Sequence, residues 1–445
     1  MTVAACLWLG LFPLLQGGTY ARITYDKRTF MLILTAVTFL LFLLDRSVPK
    51  SETTGTDHFV SSGAKKASLA VPAALAAALL LWTVLSCLFS ASDRAVWWTG
   101  EAARYEGLYA QLCYFVLFFC FLFSRVSLKP VLLSAAAGVI LFFIVVMDQR
   151  AGGNPLGLYP GGRSFALNPE FQGTIGNVDM GTGYLVLLAG LFLCSLPDQL
   201  GSLRNAKASS LSSRSFPRPN RRCPLLLPVF LSCALLIALY LIITMDVQFG
   251  LISVSVLLIY MLLRFLPRRA RLPVLILLII AVLLAVWFWP GYTGGLWELH
   301  EIVHGRGRLS FGSNRAAVWL YSLRLGAEAP FLGGGSGTFR SRFNRFLSEN
   351  GLTIPKEQDG VILPDYFDTP HNEYIAQLTD HGLPAMLLFT VLLFASLLRR
   401  RRGWFPWLSP CSAAVLCYAV QAFFSFSVCI VAPMFWVLLG LSFRE

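Results

Sequence analysis

Apolar runs of bilayer-spanning length recur along this chain from end to end, and no water-soluble fold buries so many of them. A helix needs about 20 apolar residues to cross the hydrocarbon core. Runs near that length lie at 2–18, 29–44, 69–90, 108–124, 130–147, 181–196, 224–243, 248–266, 272–290, 382–398, 404–421 and 425–443. They are continuous rather than alternating, which excludes a β-barrel. Composition agrees: only 13% of the 445 residues are charged and 56% are hydrophobic, against roughly 25% charged in an ordinary soluble domain. The pattern predicts an all-α, polytopic integral membrane protein of about 12 transmembrane helices. The first run lacks a basic leader and a small-residue cleavage site, so it reads as a membrane helix rather than a signal peptide.

The net charge of +13 is distributed by topology. With both termini cytoplasmic, Lys and Arg gather in the short cytoplasmic turns and the opposite side is slightly acidic, as the positive-inside rule requires. Nucleic-acid binding is therefore a poor explanation of the basic excess. Cysteines fall in or beside the apolar runs and none lies in the long polar loop 291–370, so neither a disulfide framework nor a zinc site is implied. The chain divides into an N-terminal transmembrane half (1–200), a Ser/Arg/Pro-rich cytoplasmic linker (201–222), helices at 223–290, a large external loop region with short helices (291–381), and C-terminal helices at 382–445. No internal repeat is visible.

The external loop holds the chemistry. Its first part is rich in arginine (Arg306, Arg308, Arg315, Arg324, Arg340, Arg342, Arg345), and its second part is acidic. Guanidinium forks suit phosphate bidentately, although a solvated, mutually paired surface accounts for most of these arginines. Arg315 is the exception. Ser313 is placed to cap a helix over Asn314–Ala327, on which Arg315, Trp319 and Ser322 share one face. An arginine beside an interfacial tryptophan can hold a lipid phosphate, or it can simply snorkel from an interfacial helix. The glycines at 333–337 offer backbone N–H groups to an anion or form a flexible turn; they lack the Lys of a P-loop.

Thr369, Pro370, His371 and Asn372 read as N-cap, N1, N2 and N3 of the helix entering the next run. The positive helix end then keeps the His371 ring neutral and ready to accept a proton. Glu373 and Asp380 follow closely. Two further polar stretches open spans on the same side: Arg104–Leu108 and Thr174–Asp179, the latter containing Asn177.

These residues carry a resemblance. Arg315 and Trp319, then Ala329-Pro330-Phe331-Leu332-Gly333-Gly334-Gly335, then His371-Asn372-Glu373-Tyr374 and His381-Gly382-Leu383 are similar to the signature of the O-antigen ligase family, which includes polysaccharide polymerases and protein O-oligosaccharyltransferases. The match is strongest over Ser313–Phe389. It implies a metal-independent, cofactor-free glycosyltransferase in the bacterial cytoplasmic (inner) membrane. Such an enzyme moves a glycan from an undecaprenyl-diphosphate carrier to a hydroxyl on a glycan, lipid or protein acceptor at the outer face. By position, His371 would activate or orient the acceptor hydroxyl and Arg315 would hold the diphosphate. Arg306, Arg308, Trp319, Arg340, Asn372, Asn177 and Arg104 are the candidate substrate contacts. One departure stands out: the family often has a Ser-Arg pair where this chain reads Met245-Asp246-Val247-Gln248-Phe249-Gly250. The external loops also contain no Asp-x-Asp motif, which weighs against metal dependence. A transporter or flippase of lipid-linked sugars and a non-catalytic envelope-assembly scaffold remain the alternatives, and ligase is not separated from polymerase.

Overall fold

The computed structural model describes residues 1–47, 61–161, 163–212, 225–358, 361–364, 367–398, 408–426 and 428–444. The chain opens with α1 (Thr2–Cys6), which continues through a π turn (Leu7–Leu11) and a 3₁₀ turn (Phe12–Leu14). There follow α2 (Ile23–Ser47), α3 (Ser61–Leu88), α4 (Arg94–Thr99), α5 (Leu108–Leu122) and α6 (Leu128–Arg150). A small antiparallel pair, β1 (Phe171–Gln172) and β2 (Gly176–Asn177), leads into α7 (Val178–Ser212), α8 (Leu226–Thr244), α9 (Gln248–Phe265) and α10 (Arg268–Trp287). The loop region contributes α11 (Gly295–Val303), α12 (Arg315–Glu328), α13 (Phe339–Glu349) and a hairpin of β3 (Pro355–Gln358) with β4 (Val361–Pro364). Three helices close the chain: α14 (Glu373–Leu398), α15 (Pro410–Gln421) and α16 (Ala432–Ser442).

Every apolar run read from the sequence contains a helix. Among the described residues, 8 helices are long and apolar enough to cross a membrane, so this is a multi-pass membrane protein. The other four, Thr2–Leu14, Leu108–Leu122, Pro410–Gln421 and Ala432–Ser442, have only 10–17 residues. Their surroundings differ from those of the long helices. Each residue of α16 is buried, whereas α10 buries only Val286. A helix apolar all round must be enclosed by protein or by lipid; α16 takes the first course and α10 the second.

The first run, expected to reach residue 18, stops at Leu14 around Pro13. Its last carbonyls are satisfied by the fully buried Lys27, whose Nζ donates to Phe12 O at 2.9 Å and Pro13 O at 2.7 Å. A cation at a helix C-terminus meets both the orphan carbonyls and the dipole. The centre of the bundle is α7, packed along α15 and α8. It approaches α15 so closely at Gly190 that a Cβ there would lie 2.8 Å from Ala413 O, the small-residue contact that membrane helices use. Helix α7 also runs on to Ser212, so the first part of the 201–222 linker is helical; the rest of that segment lies outside the described residues.

The loop region builds its own small core from α12 and α13, with Val318, Tyr321, Leu325, Phe339, Phe343 and Phe346 at its heart. It is thus a folded module rather than a solvated connection, and α12 packs against α14.

Candidate functional site

The start of α12 differs from the expected cap. Ser313 (φ 55°) and Asn314 (φ 68°) are both left-handed, and the helix begins at Arg315 without a side-chain cap. The preceding turn does the capping instead. Ala316 N donates to Phe311 O at 3.2 Å and Ala317 N to Leu309 O at 3.1 Å, so backbone carbonyls take the orphan donors that Ser313 was expected to meet.

On this helix Arg315, Trp319 and Ser322 do share a face, and all three leave polar atoms unmet. Arg315 places its guanidinium over the Phe249 ring at 5.3 Å and spends one Nη1 bond on Gly312 O at 3.2 Å. Its Nε, the Trp319 Nε1 and the Ser322 Oγ are buried and have no hydrogen-bond partner among the described residues. Such groups cost about 1–3 kcal/mol each when left unpaired. Burial draws the Arg315 guanidinium below its ordinary pKa, while the charges of Asp179 and Glu298 pull it back. Phe249 lies in the Met245–Gly250 stretch, which there presents a ring face to Arg315.

The helix after His371 also begins later than expected. His371 itself is left-handed (φ 50°), and α14 starts at Glu373. The cap is Asn372, whose Oδ1 accepts from Ile375 N at 3.1 Å, rather than Thr369. Thr369 is used differently: its hydroxyl accepts from His371 N at 3.3 Å and closes a turn that reverses the chain before the helix. Glu373 N is taken by Ala422 O at 2.8 Å, which ties the helix start to the end of α15.

This turn orients the imidazole. Nδ1 lies 3.1 Å from Thr369 O, an oxygen that only accepts, so Nδ1 carries the proton and Nε2 keeps its lone pair. The ring is half-buried between Phe426 (5.0 Å, edge-on) and Phe367 (6.0 Å). Burial, and after it the positive charge of Arg315, lower the His371 pKa to about 4. The imidazole is neutral at physiological pH.

Arg104 reaches the same neighbourhood but is already engaged. It grips Asp368 bidentately, Nε to Oδ2 at 2.6 Å and Nη2 to Oδ1 at 2.9 Å, and its guanidinium lies 4.2 Å from the Phe426 ring centre. Burial pushes the Asp368 carboxyl upward, yet the Arg104 bonds and charge prevail and hold it below the usual carboxylate range. The pair braces the segment that carries His371. Behind it lies a cavity of about 60 Å³ lined by Glu101, Glu106, Gln111, Gln377, Asp380 and His381. Burial raises Glu106 to about 8, and Tyr114 donates to it at 2.8 Å.

The glycine-rich segment is neither an anion cradle nor a flexible turn. Gly334 N donates to Thr379 O at 3.1 Å, Gly335 N to Asp380 O at 2.8 Å and Gly337 N to Asp380 Oδ2 at 3.1 Å, while Gly333 N goes to Ala329 O and Ser336 N to Cys87 Sγ, so its donors are spent within the fold, mostly on α14. From the other side Trp82 and Ser86 of α3 donate to the His381 and Asp380 carbonyls. The segment is a wedge at the break of α14, where Gly382 (φ 84°) lies so close to the Phe331 carbonyl that a Cβ would sit 2.0 Å from its oxygen.

The remaining candidates sit elsewhere or serve as caps. Arg306 is exposed and held by Glu301 at 2.9 and 2.6 Å. Arg308 is exposed on the same loop, and Arg340 lines a shallow depression with Thr99 and Glu101. Asn177 Oδ1 caps α7 by accepting from Asp179 N at 2.8 Å. What the structure brings together is Arg315, Trp319, His371 and Arg104, around the loop that follows α15. Phe423 and Phe424 pack on Trp319 at 5.5 and 6.2 Å, and Phe426 packs on His371 and Arg104. Sequence reasoning passed over this loop, whose only signal was the Phe-Phe-Ser-Phe run between two apolar segments. Among the described residues no group of three or more His, Cys, Asp or Glu side chains is arranged to hold a metal.

A family model described as O-Antigen ligase matches residues 233–390. The match runs from within α8 to within α14 and includes Arg315, Trp319, His371 and Asn372; over these residues the chain is similar to that family. Arg104, Asn177 and the aromatic loop lie outside it. No curated protein matches the chain.

Proposed function

We propose, from the similarity to the O-antigen ligase family over a stretch that holds both Arg315 and His371, that this protein is a membrane glycosyltransferase acting on a lipid-diphosphate donor. On this reading it moves a glycan from an undecaprenyl-diphosphate carrier to an acceptor hydroxyl at the outer face of the cytoplasmic membrane. The acceptor oxygen bonds to the anomeric carbon as the bond from that carbon to the diphosphate oxygen breaks. The electron pair leaves with the diphosphate, and the hydroxyl proton passes to His371 Nε2. A diphosphate is already a good leaving group, so the protein's tasks are proton removal and charge stabilisation. A guanidinium meets the second task without a metal.

The observation that supports this reading best is a neutral, oriented imidazole and an unsaturated guanidinium on either side of one aromatic loop. Trp319 Nε1 and Ser322 Oγ add two donors on the Arg315 face. Purified protein reconstituted with lipid-linked glycan and acceptor tests it. His371→Ala should lower transfer by about 10³-fold, within the range for a lost general base, with protein level and thermal unfolding unchanged. Wild-type transfer by this variant removes the reading. Movement of the lipid-linked sugar between leaflets without transfer would select the flippase alternative.

A further inference from the structure

A second basic and aromatic cluster lies on the far side of the turn that carries Arg104. At the N-terminal end of α2, the Arg28 guanidinium is boxed by three tyrosine rings, Tyr25 at 5.2 Å, Tyr105 at 5.0 Å and Tyr109 at 5.3 Å. Its Nε is buried with no hydrogen-bond partner, and Arg28 has no ion pair among the described residues. Arg22 lies over the Tyr25 ring at 5.5 Å; its side chain is 68% exposed and meets Asp26 only at 3.9 Å. Arg22 thus has one distant carboxylate, and Arg28 has ring faces but no ion pair among the described residues. Beside them opens a cavity of about 350 Å³ lined by Ala21, Arg22, Thr24, Tyr25, Ala103 and Tyr105. The hydroxyls of Tyr25 and Tyr105 make no hydrogen bond among the described residues and are not buried.

The connection to the transfer site is covalent. Ala103 (φ 76°) and Tyr105 (φ 57°) are both left-handed, a strained arrangement for residues other than glycine. In this turn consecutive side chains go to different sites: Arg104 to Asp368, and Tyr105 to Arg28. Both sites therefore flank one turn of the chain.

We infer that the Arg22–Tyr25–Tyr105 cavity binds an acidic saccharide unit of the glycan handled at His371, an inference that rests on the proposed function for its biological role but not for binding itself. Tyrosine rings held by an arginine offer rigid faces to the C–H side of a sugar ring, and their hydroxyls can pair with its own. The excess guanidinium charge suits a carboxylate substituent. The lining has no aliphatic side chain larger than alanine, which disfavours an acyl chain.

The test uses full-length protein in phosphatidylcholine nanodiscs with a hexuronic-acid disaccharide, read by saturation-transfer NMR. Saturation should pass to the disaccharide and disappear in Tyr25→Ala, with affinity weakened about tenfold in the exposed-site variant Arg22→Ala; His371→Ala should bind as the wild type does. In transfer assays Arg22→Ala should raise KM for the glycan about tenfold and leave kcat in place. Absence of saturation transfer, equal binding of a neutral disaccharide, or loss of binding when phosphatidylglycerol is added to the disc would each overturn the inference. Disaccharide binding in a protein that transfers no glycan supports this site and removes the glycosyltransferase reading; transfer without disaccharide binding does the reverse.

Discussion

The two halves of the candidate site are built on opposite principles. Around His371 the orienting groups are tied down: Nδ1 to Thr369 O, Asn372 to Ile375 N, Arg104 to Asp368. Around Arg315 three buried polar atoms in succession along one helix face have no partner among the described residues. The difference teaches where binding energy is reserved. A proton acceptor works by holding one geometry and one protonation state, so its surroundings are satisfied in advance. An anion handle gains most from donors that the fold itself has not consumed. Both halves share a desolvated environment, which keeps the imidazole neutral on one side and leaves the guanidinium under-compensated on the other.

The largest test of this contrast is Arg315→Ala, which should cost roughly 10²–10³-fold in kcat/KM, the scale for removing a preorganised donor to developing charge. Arg315→Lys should recover only part of that, because an ammonium lacks the planar fork. Equal rates for Lys and Arg would mean that charge alone, and not the unpaired Nε, matters there. Next comes pH. His371 must be neutral to accept a proton and its pKa is lowered to about 4, so kcat/KM should stay flat through neutral pH and fall only as pH drops through about 4. Arg315→Gln removes one of the charges that depress it, and the acid limb should move upward toward the ordinary histidine range. A limb that stays in place would uncouple the two halves.

A smaller effect is expected on the braced side. Asp368→Asn leaves Arg104 without its charged partner and should lower stability by about 1–2 kcal/mol, read as a fall in thermal unfolding temperature. The rate should drop about tenfold as the His371 turn loosens. Smallest is Trp319→Phe, which deletes Nε1 and keeps most of the ring packing on Phe423 and Phe424; a few-fold loss in affinity for the lipid diphosphate is expected. If Trp319→Phe exceeds Asp368→Asn in its effect on rate, the division into a rigid half and a receptive half is wrong.

Much of the architecture was legible in advance because bilayer-length apolar runs leave helix as the only way to satisfy the backbone. The runs at 272–290 and 425–443 illustrate the limit. Both read simply as apolar, yet α10 faces outward along nearly its whole length and α16 is enclosed. The site was partly legible as well. Arg315, Trp319 and Ser322 share a face as i, i+4, i+7 spacing requires, because that relation is local. The caps were misread by one residue at α12 and by three at α14, because backbone carbonyls from Leu309 and Phe311, and Ala422 of another helix end, decided where the first turns begin.

By itself, then, the amino-acid sequence determined the helical class and marked the polar stretch at 291–381 with its candidates Arg315 and His371, since periodicity and residue chemistry act over a few residues. Tertiary structure alone decided that Arg104 braces Asp368 instead of standing free, that the glycines wedge a helix break, and that the loop after α15 sits between Trp319 and His371. Those outcomes depend on which groups from distant segments compete for the same donors and acceptors, and that competition exists only once the chain is packed.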